Sequence, residues 1–381
     1  MRSKIKLMAS LLPIFILSGC WSGREISDLS IVMGVAIEKN DKGETGLLTQ
    51  IVVPENVGLG RGDGPGTGEP YVNIYTDCKY LADGMVRAGN QSDKQIYLSH
   101  NLILLLDEEV AREGIYPLLD YFMRNNELRL NVLLFVAENG ISEIMDVKSE
   151  TFQIPATYIA SLGVALGQNS DGINKDVLEF MTDMLEKSNG SLVPIVTIDS
   201  KSNPKSLKVT SSAVFKDDKM IGKLSAEEAR GIMWLNNHIN QGELTTELEG
   251  SVLSAEINSS RTKRKIYIDK DKVSSRVDIS TEIFIKRDIN GFIKPDNIGK
   301  VKEAFAQEIK SEIYASLAKM RDSGTDVYGF AQDVYREDFK AWERMKDNWD
   351  EVYKNLYVDV NIDISMRENG SINRSILNEQ E

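Results

Sequence analysis

The feature that most limits what this chain folds into stands at its beginning. Leu7 to Leu17 is apolar, broken only by Ala9, Ser10 and Pro13, and it follows the cations Arg2, Lys4 and Lys6. The run is too short to cross a bilayer, which takes roughly 20 apolar residues, but it has the length of a signal-peptide core behind a positive start. It leads into Leu17-Ser18-Gly19-Cys20. Residues 1–19 are therefore expected to be a signal peptide that is removed, and the folded body is expected to begin at Cys20.

Leu-Ser-Gly-Cys resembles a lipobox, the processing site of bacterial lipoproteins. The thiol is the nucleophile that takes a diacylglyceryl group. The two small residues let the backbone enter the peptidase, which frees the cysteine amine for N-acylation. One acyl chain, at about 0.8 kcal/mol per buried methylene, gives only marginal membrane binding, whereas two hold stably. No later run is apolar enough to span a bilayer, so the reading is a body on a lipid tether at Cys20, outside the cytoplasm.

Composition narrows the partners. The formal net charge is −13, and removing Arg2, Lys4 and Lys6 makes the mature chain −13 − 3 = −16. Such a body is repelled by nucleic acid and by anionic headgroups, so neither is an expected partner. Cys78 is the second of two cysteines. With Cys20 acylated it has nothing to pair with, and it reads as a small buried side chain in a helix.

Periodicity gives the organisation. Leu29–Ile37 and Leu47–Val53 read as a hairpin, followed by a glycine-rich loop over 57–70. Asp77 reads as the cap of a helix to about Ala88. Asn101–Leu106 and Leu130–Ala137 read as buried strands joined by a right-handed crossover; Asp107 caps the helix between them and Gly114 ends it. Helical patterns follow near 139–147, 156–166 and 173–187. A strand pair over Leu207–Phe215 and Met220–Leu224 precedes a helix opened by a Ser225/Glu228 capping box. The polar run 258–265 reads as a linker. Beyond it, Val277 to Ile285 and Val358 to Ile364 alternate as strands, and Ile298–Met320 is a long amphipathic helix. The expected fold class is α+β, with three mixed α/β domains: 20–195, a small middle domain 196–262, and 263–381, the last an antiparallel sheet covered by helices.

Catalytic signatures are scarce. Gly58-x-Gly60 fails the dinucleotide spacing, since Asp63 occupies the sixth position, and no P-loop lysine follows. His100 and His238 lie outside any zinc spacing. Ser99 and His100, adjacent on an extended chain, point to opposite faces, which is not a triad. Trp342 and Trp349 fall on one helix face if that helix is unbroken, where core packing competes with a role as partner contacts.

Together the pieces resemble the Ger(x)C spore-germination lipoproteins, the C component of nutrient germinant receptors. The resemblance rests on Cys20-Trp21 with Arg24-Glu25-Ile26, on Leu98-Ser99-His100 with Ala111-Arg112-Glu113-Gly114-Ile115, on Ala213-Val214-Phe215 with Met220 to Leu224, and on Asp326-Val327-Tyr328-Gly329-Phe330 with Trp342 and Trp349. Ser22 departs from the acid usual after the tryptophan. The resemblance implies a non-enzymatic subunit with no cofactor and no metal. It implies a lipid anchor on the outer face of the cell membrane or spore inner membrane, integral membrane A and B components as partners, and no direct small-molecule ligand. The second reading is a solute-binding lipoprotein of a transporter; a tethered hydrolase is a third.

Cys20→Ala is expected to abolish lipidation and move the protein from the detergent phase to the aqueous phase in phase partitioning. Membrane fractionation of the variant in the absence of partners would contradict the anchor.

Overall fold

A computed structural model describes residues 26–40, 42–57, 68–288 and 292–367. Cys20 and most of the glycine-rich loop lie outside the described residues. The first strands are β1 (Leu29–Lys39), β2 (Thr45–Val52) and β3 (Tyr71–Cys78). Next come helix α1 (Leu81–Gln91), strands β4 (Gln95–Tyr97) and β5 (Ile103–Asp107), helices α2 (Glu108–Glu113) and α3 (Tyr116–Arg124), and β6 (Leu133–Ala137). Helices α4 (Ile141–Ile144), α5 (Pro155–Asn169) and α6 (Val177–Leu185) lead to β7 (Gly190–Asp199), β8 (Ser206–Lys216) and β9 (Lys219–Ser225).

These strands form one nine-stranded sheet in the order β3-β2-β1-β5-β6-β7-β8-β9, with β4 beside β1. Its centre is parallel (β1, β5, β6 and β7) and both flanks are antiparallel. Parallel strands need cover on both faces, and the sequence supplies it: Val35, Ala36, Ile37, Leu104, Leu105 and Leu106 are fully buried, with no dry–wet alternation. Helices α1, α2, α3 and α6 cover one face through Met85, Ala111, Phe122 and Phe180. Helices α4 and α5 cover the other through Ile141, Ala156 and Ile159. The expected crossover is present, with Asp107 accepting from the Glu109 amide at 3.0 Å and Gly114 ending α2 at φ 124°.

The remainder is helix α7 (Ala226–Leu235), strands β10 (Gly242–Leu248), β11 (Ser251–Asp269) and β12 (Lys272–Asp288), helices α8 (Ile298–Ser323), α9 (Phe330–Glu337), α10 (Phe339–Met345) and α11 (Trp349–Lys354), and β13 (Tyr357–Arg367). Strands β10 to β13 make a four-stranded sheet. On α8, Val301, Phe305, Ile309, Ile313, Leu317 and Met320 are all buried, which is the amphipathic stripe read from the sequence. The Ser225/Glu228 capping box forms at 3.2 and 2.9 Å.

Four expectations are corrected. Asp77 caps no helix: residues 71–78 are β3, and the helix starts at Leu81 after Tyr80, so buried Cys78 closes a strand. The boundary at 195/196 falls inside β7, and β8 and β9 extend the first sheet, so the expected middle domain has no sheet of its own. The run 258–265 is no linker; it is the middle of β11, whose alternating polar residues face water. In the last sheet β10, β11 and β12 are antiparallel as expected, but β13 pairs parallel to β12, because the helices α8 to α11 form a crossover between them.

Candidate functional site

The two sheets meet at the turn Asp326-Val327-Tyr328-Gly329-Phe330. Asp326 is 3% exposed. Its Oδ1 accepts from the amides of Tyr328 (3.1 Å) and Phe330 (3.2 Å), and its Oδ2 accepts from the amide of Ala331 (2.7 Å). The last two amides open α9, so a carboxylate sits on the positive end of a helix. The turn closes because Gly329 takes φ 79°, a left-handed conformation that L side chains adopt at a cost. Burial pushes the Asp326 carboxyl above the usual carboxylate range, while the three amide donors and the nearby Arg264 guanidinium pull it back down.

Four other elements converge on this turn. From β11, Arg264 Nη1 donates to the Tyr328 carbonyl at 2.7 Å, its Nε meets Asp333 at 2.5 Å, and its guanidinium lies 4.9 Å from the centre of the Phe330 ring. From the C-cap of α7, Asn236 donates to the Val327 carbonyl at 3.1 Å. From α8, Ser316 accepts the Tyr328 hydroxyl at 2.9 Å, and burial raises that phenol far above its usual pKa. From the first sheet, Asn189 bridges to Asp326, and a Cβ on Gly190 would stand 2.8 Å from the Asp326 carbonyl oxygen. Only glycine lets the start of β7 come this close.

Beside the turn is a cleft of about 420 Å³, walled by Lys175, Asp183, Glu186, His238, Asp333 and Arg336 among others. Its charges are largely matched within the protein: Lys175 to Asp183 at 2.7 Å, Arg264 to Asp333, and Arg336 to Glu186 at 3.8 Å. Enclosure and the Asp183 charge raise the Glu186 carboxyl; enclosure and the Lys175 ammonium lower the His238 imidazole. The surroundings hold each group against a neighbour rather than aiming several at one point in space.

The singled-out residues scatter. His100 is exposed beside Tyr97, with ring centroids 5.6 Å apart, and does not meet His238. Trp342 and Trp349 come together with centroids 5.5 Å apart, but the helix between them is broken at 346–348. With 6% and 8% exposure they pack into the core instead of presenting their rings to a partner. Among the described residues no group of three or more His, Cys, Asp or Glu is placed to hold a metal ion. The Asp326 hub is absent from the site residues expected from the sequence, although the sequence carries its signal: an Asx residue three positions before a glycine that opens a helix.

A family model described as "Spore germination protein N-terminal domain" matches residues 22–198, and one described as "Spore germination B3/ GerAC like, C-terminal" matches 210–370. The chain belongs to the GerAC-like spore germination family. The first match ends at 198 within β7 and the second begins at 210 within β8, although those strands pair in one sheet. Among its relatives, spore germination protein YndF of Bacillus subtilis is 25% identical, over 98% of this chain and 99% of the relative. Spore germination protein KC of Bacillus subtilis is 24% identical over 96% of each. The crystal structure of the GerBC protein shares the fold at a TM-score of 0.55 and 20% identity, covering 88% of this chain and 96% of that one. Mixed α/β architecture, germination and sporulation are thus the family context of the Asp326 turn.

Asp326→Ala would leave three buried amides without an acceptor, each costing about 1–3 kcal/mol. Urea denaturation is expected to show a loss of at least about 3 kcal/mol; a loss below about 1 kcal/mol would mean that water or relaxation replaces the carboxylate.

Proposed function

We propose that this chain is a lipid-anchored, non-enzymatic subunit of a spore nutrient germinant receptor, acting in germination by assembly with integral membrane A and B components. The observation that carries the reading is the pair of family matches, which together fill residues 22–198 and 210–370 and begin two positions after Cys20. Among the described residues no helix is long and apolar enough to cross a membrane, which fits a body held by lipid on Cys20 at the outer face of the cell membrane or spore inner membrane.

The non-enzymatic part rests on the cleft. Three of its acids are paired with three of its bases, Asp183 with Lys175, Asp333 with Arg264 and Glu186 with Arg336, so these six charges are held against one another. The same matching disfavours direct capture of a nutrient, which needs a few polar groups free to converge on it. The transporter alternative calls for two similar lobes, whereas here a nine-stranded sheet with a parallel centre meets a four-stranded one. The subunit acts by docking: the anchor confines it to a surface, which raises its effective concentration near its partners and lets weak contacts suffice.

Crosslinking in isolated spore membranes, with capture of the tagged full-length chain, tests this. The A and B components are the expected crosslinked partners. Recovery of transporter permease subunits in their place would establish the alternative.

A further inference from the structure

Five residues lie between Cys20 and Ile26, which makes six steps of at most about 3.6 Å each, so the start of the folded body lies within roughly 22 Å of the lipidated cysteine. That start is the leading end of β1. A continuous rim surrounds it. Leu29, Ser30 and Ile31 pair with Gln95, Ile96 and Tyr97 of β4, and the Ser30 and Ser92 hydroxyls share a hydrogen bond of 2.6 Å. The Ser99 hydroxyl donates to the Glu127 carbonyl at 2.7 Å, which joins β4 to the turn that follows α3. The Leu178 amide donates to the Leu130 carbonyl at 2.9 Å, which joins that turn to the first turn of α6.

The rim exposes apolar side chains at helix ends. Met123, on the last turn of α3, is 60% exposed, and Leu178, on the first turn of α6, is 50% exposed. Arg129 stands exposed between them. Lys94, Arg124 and Arg129 stand against Asp28, Asp93, Glu127, Asp176 and Glu179, so the rim carries 3 − 5 = −2, a small share of a chain whose formal charge is −13 before processing. Acids elsewhere on the body are screened beyond about 8–10 Å at physiological salt.

We propose that this rim rests on the phospholipid surface, with Met123 and Leu178 at the headgroup–acyl boundary and Arg129 against the phosphates. The proposal deepens the anchored-subunit reading and depends on acylation of Cys20. The acyl chains supply the retention; the rim supplies orientation, because a short tether makes even a weak contact effectively intramolecular. The opposite end of the 11-residue β1, where Lys42 turns toward β2, then points away from the membrane, about 33 Å further along the strand.

The test uses full-length lipidated protein on phosphatidylcholine vesicles that contain no other protein. Met123→Cys, Arg129→Cys, Leu178→Cys and Lys42→Cys are each labelled with an environment-sensitive fluorophore; Cys78 is buried and Cys20 carries lipid, so neither competes. Flotation with the vesicles reports the anchor independently. The expected result is a loss of fluorescence to spin-labelled lipid at positions 123, 129 and 178, and little loss at 42. Floating protein with equal quenching at all four positions would overturn the rim while leaving the anchor intact. Floating protein with rim labels unquenched on vesicles but shielded in spore membranes would assign the rim to a protein partner and overturn the lipid contact. Failure to float would overturn the anchor, and this proposal with it.

Discussion

A carboxylate buried between two sheets costs several kcal/mol unless it is held on every side. Asp326 is held in this way. Three backbone amides of its own turn, two of them at the start of α9, and the neighbouring Arg264 of β11 offset its burial. The amide donors are local to the turn, while its place between the sheets is fixed by contacts from β7, α8, β11 and the residue that follows α7. The main hydrophobic cluster shows the same dependence: Leu192 and Val214 of the first sheet share it with Ile232, Trp234, Phe305 and Val277. The halves are joined by a continuous core and by one ionic turn, and the close approach at Gly190 leaves no room for slack.

The first sheet explains why helices occupy so much of the chain. A parallel centre exposes two apolar faces, so each crossover must deliver a helix to one of them. The antiparallel flanks carry the sheet outward to edges that can tolerate water, such as β3, where exposed and buried residues alternate. The second sheet needs one cover only. Helix α8 provides it, and the alternating residues on the far face of β12 and β13 remain wet.

Much of this was legible because burial imposes a period. The continuous apolar runs of β1, β5 and β6, the stripe on α8 and the alternation in β12 and β13 follow directly from which faces are dry. The exceptions share a cause: local punctuation suggested an ending that long-range pairing overrode. Asp77 looks like a helix cap, yet pairing with Gly46 of β2 keeps it in a strand. Pro194 looks like a terminator, yet β7 pairs with β6 only at Ile195 and Val196, so the missing proline amide lies where that neighbour makes no ladder. The run 258–265 is too polar to read as core, but it needs no core, being zipped to β12 along its length. The hub at Asp326 was visible as a motif but not as a joint, because its partners lie as far away in sequence as Asn189 and Arg264.

That the Asp326 turn joins the two sheets into one cooperative body is most directly tested by native-state amide hydrogen exchange. The amides of Tyr328, Phe330 and Ala331 should be as protected as core amides of β7 and α8, exchanging only with global unfolding. Exchange of those three amides through a local opening, with the two sheets unfolding in separate steps, would contradict it.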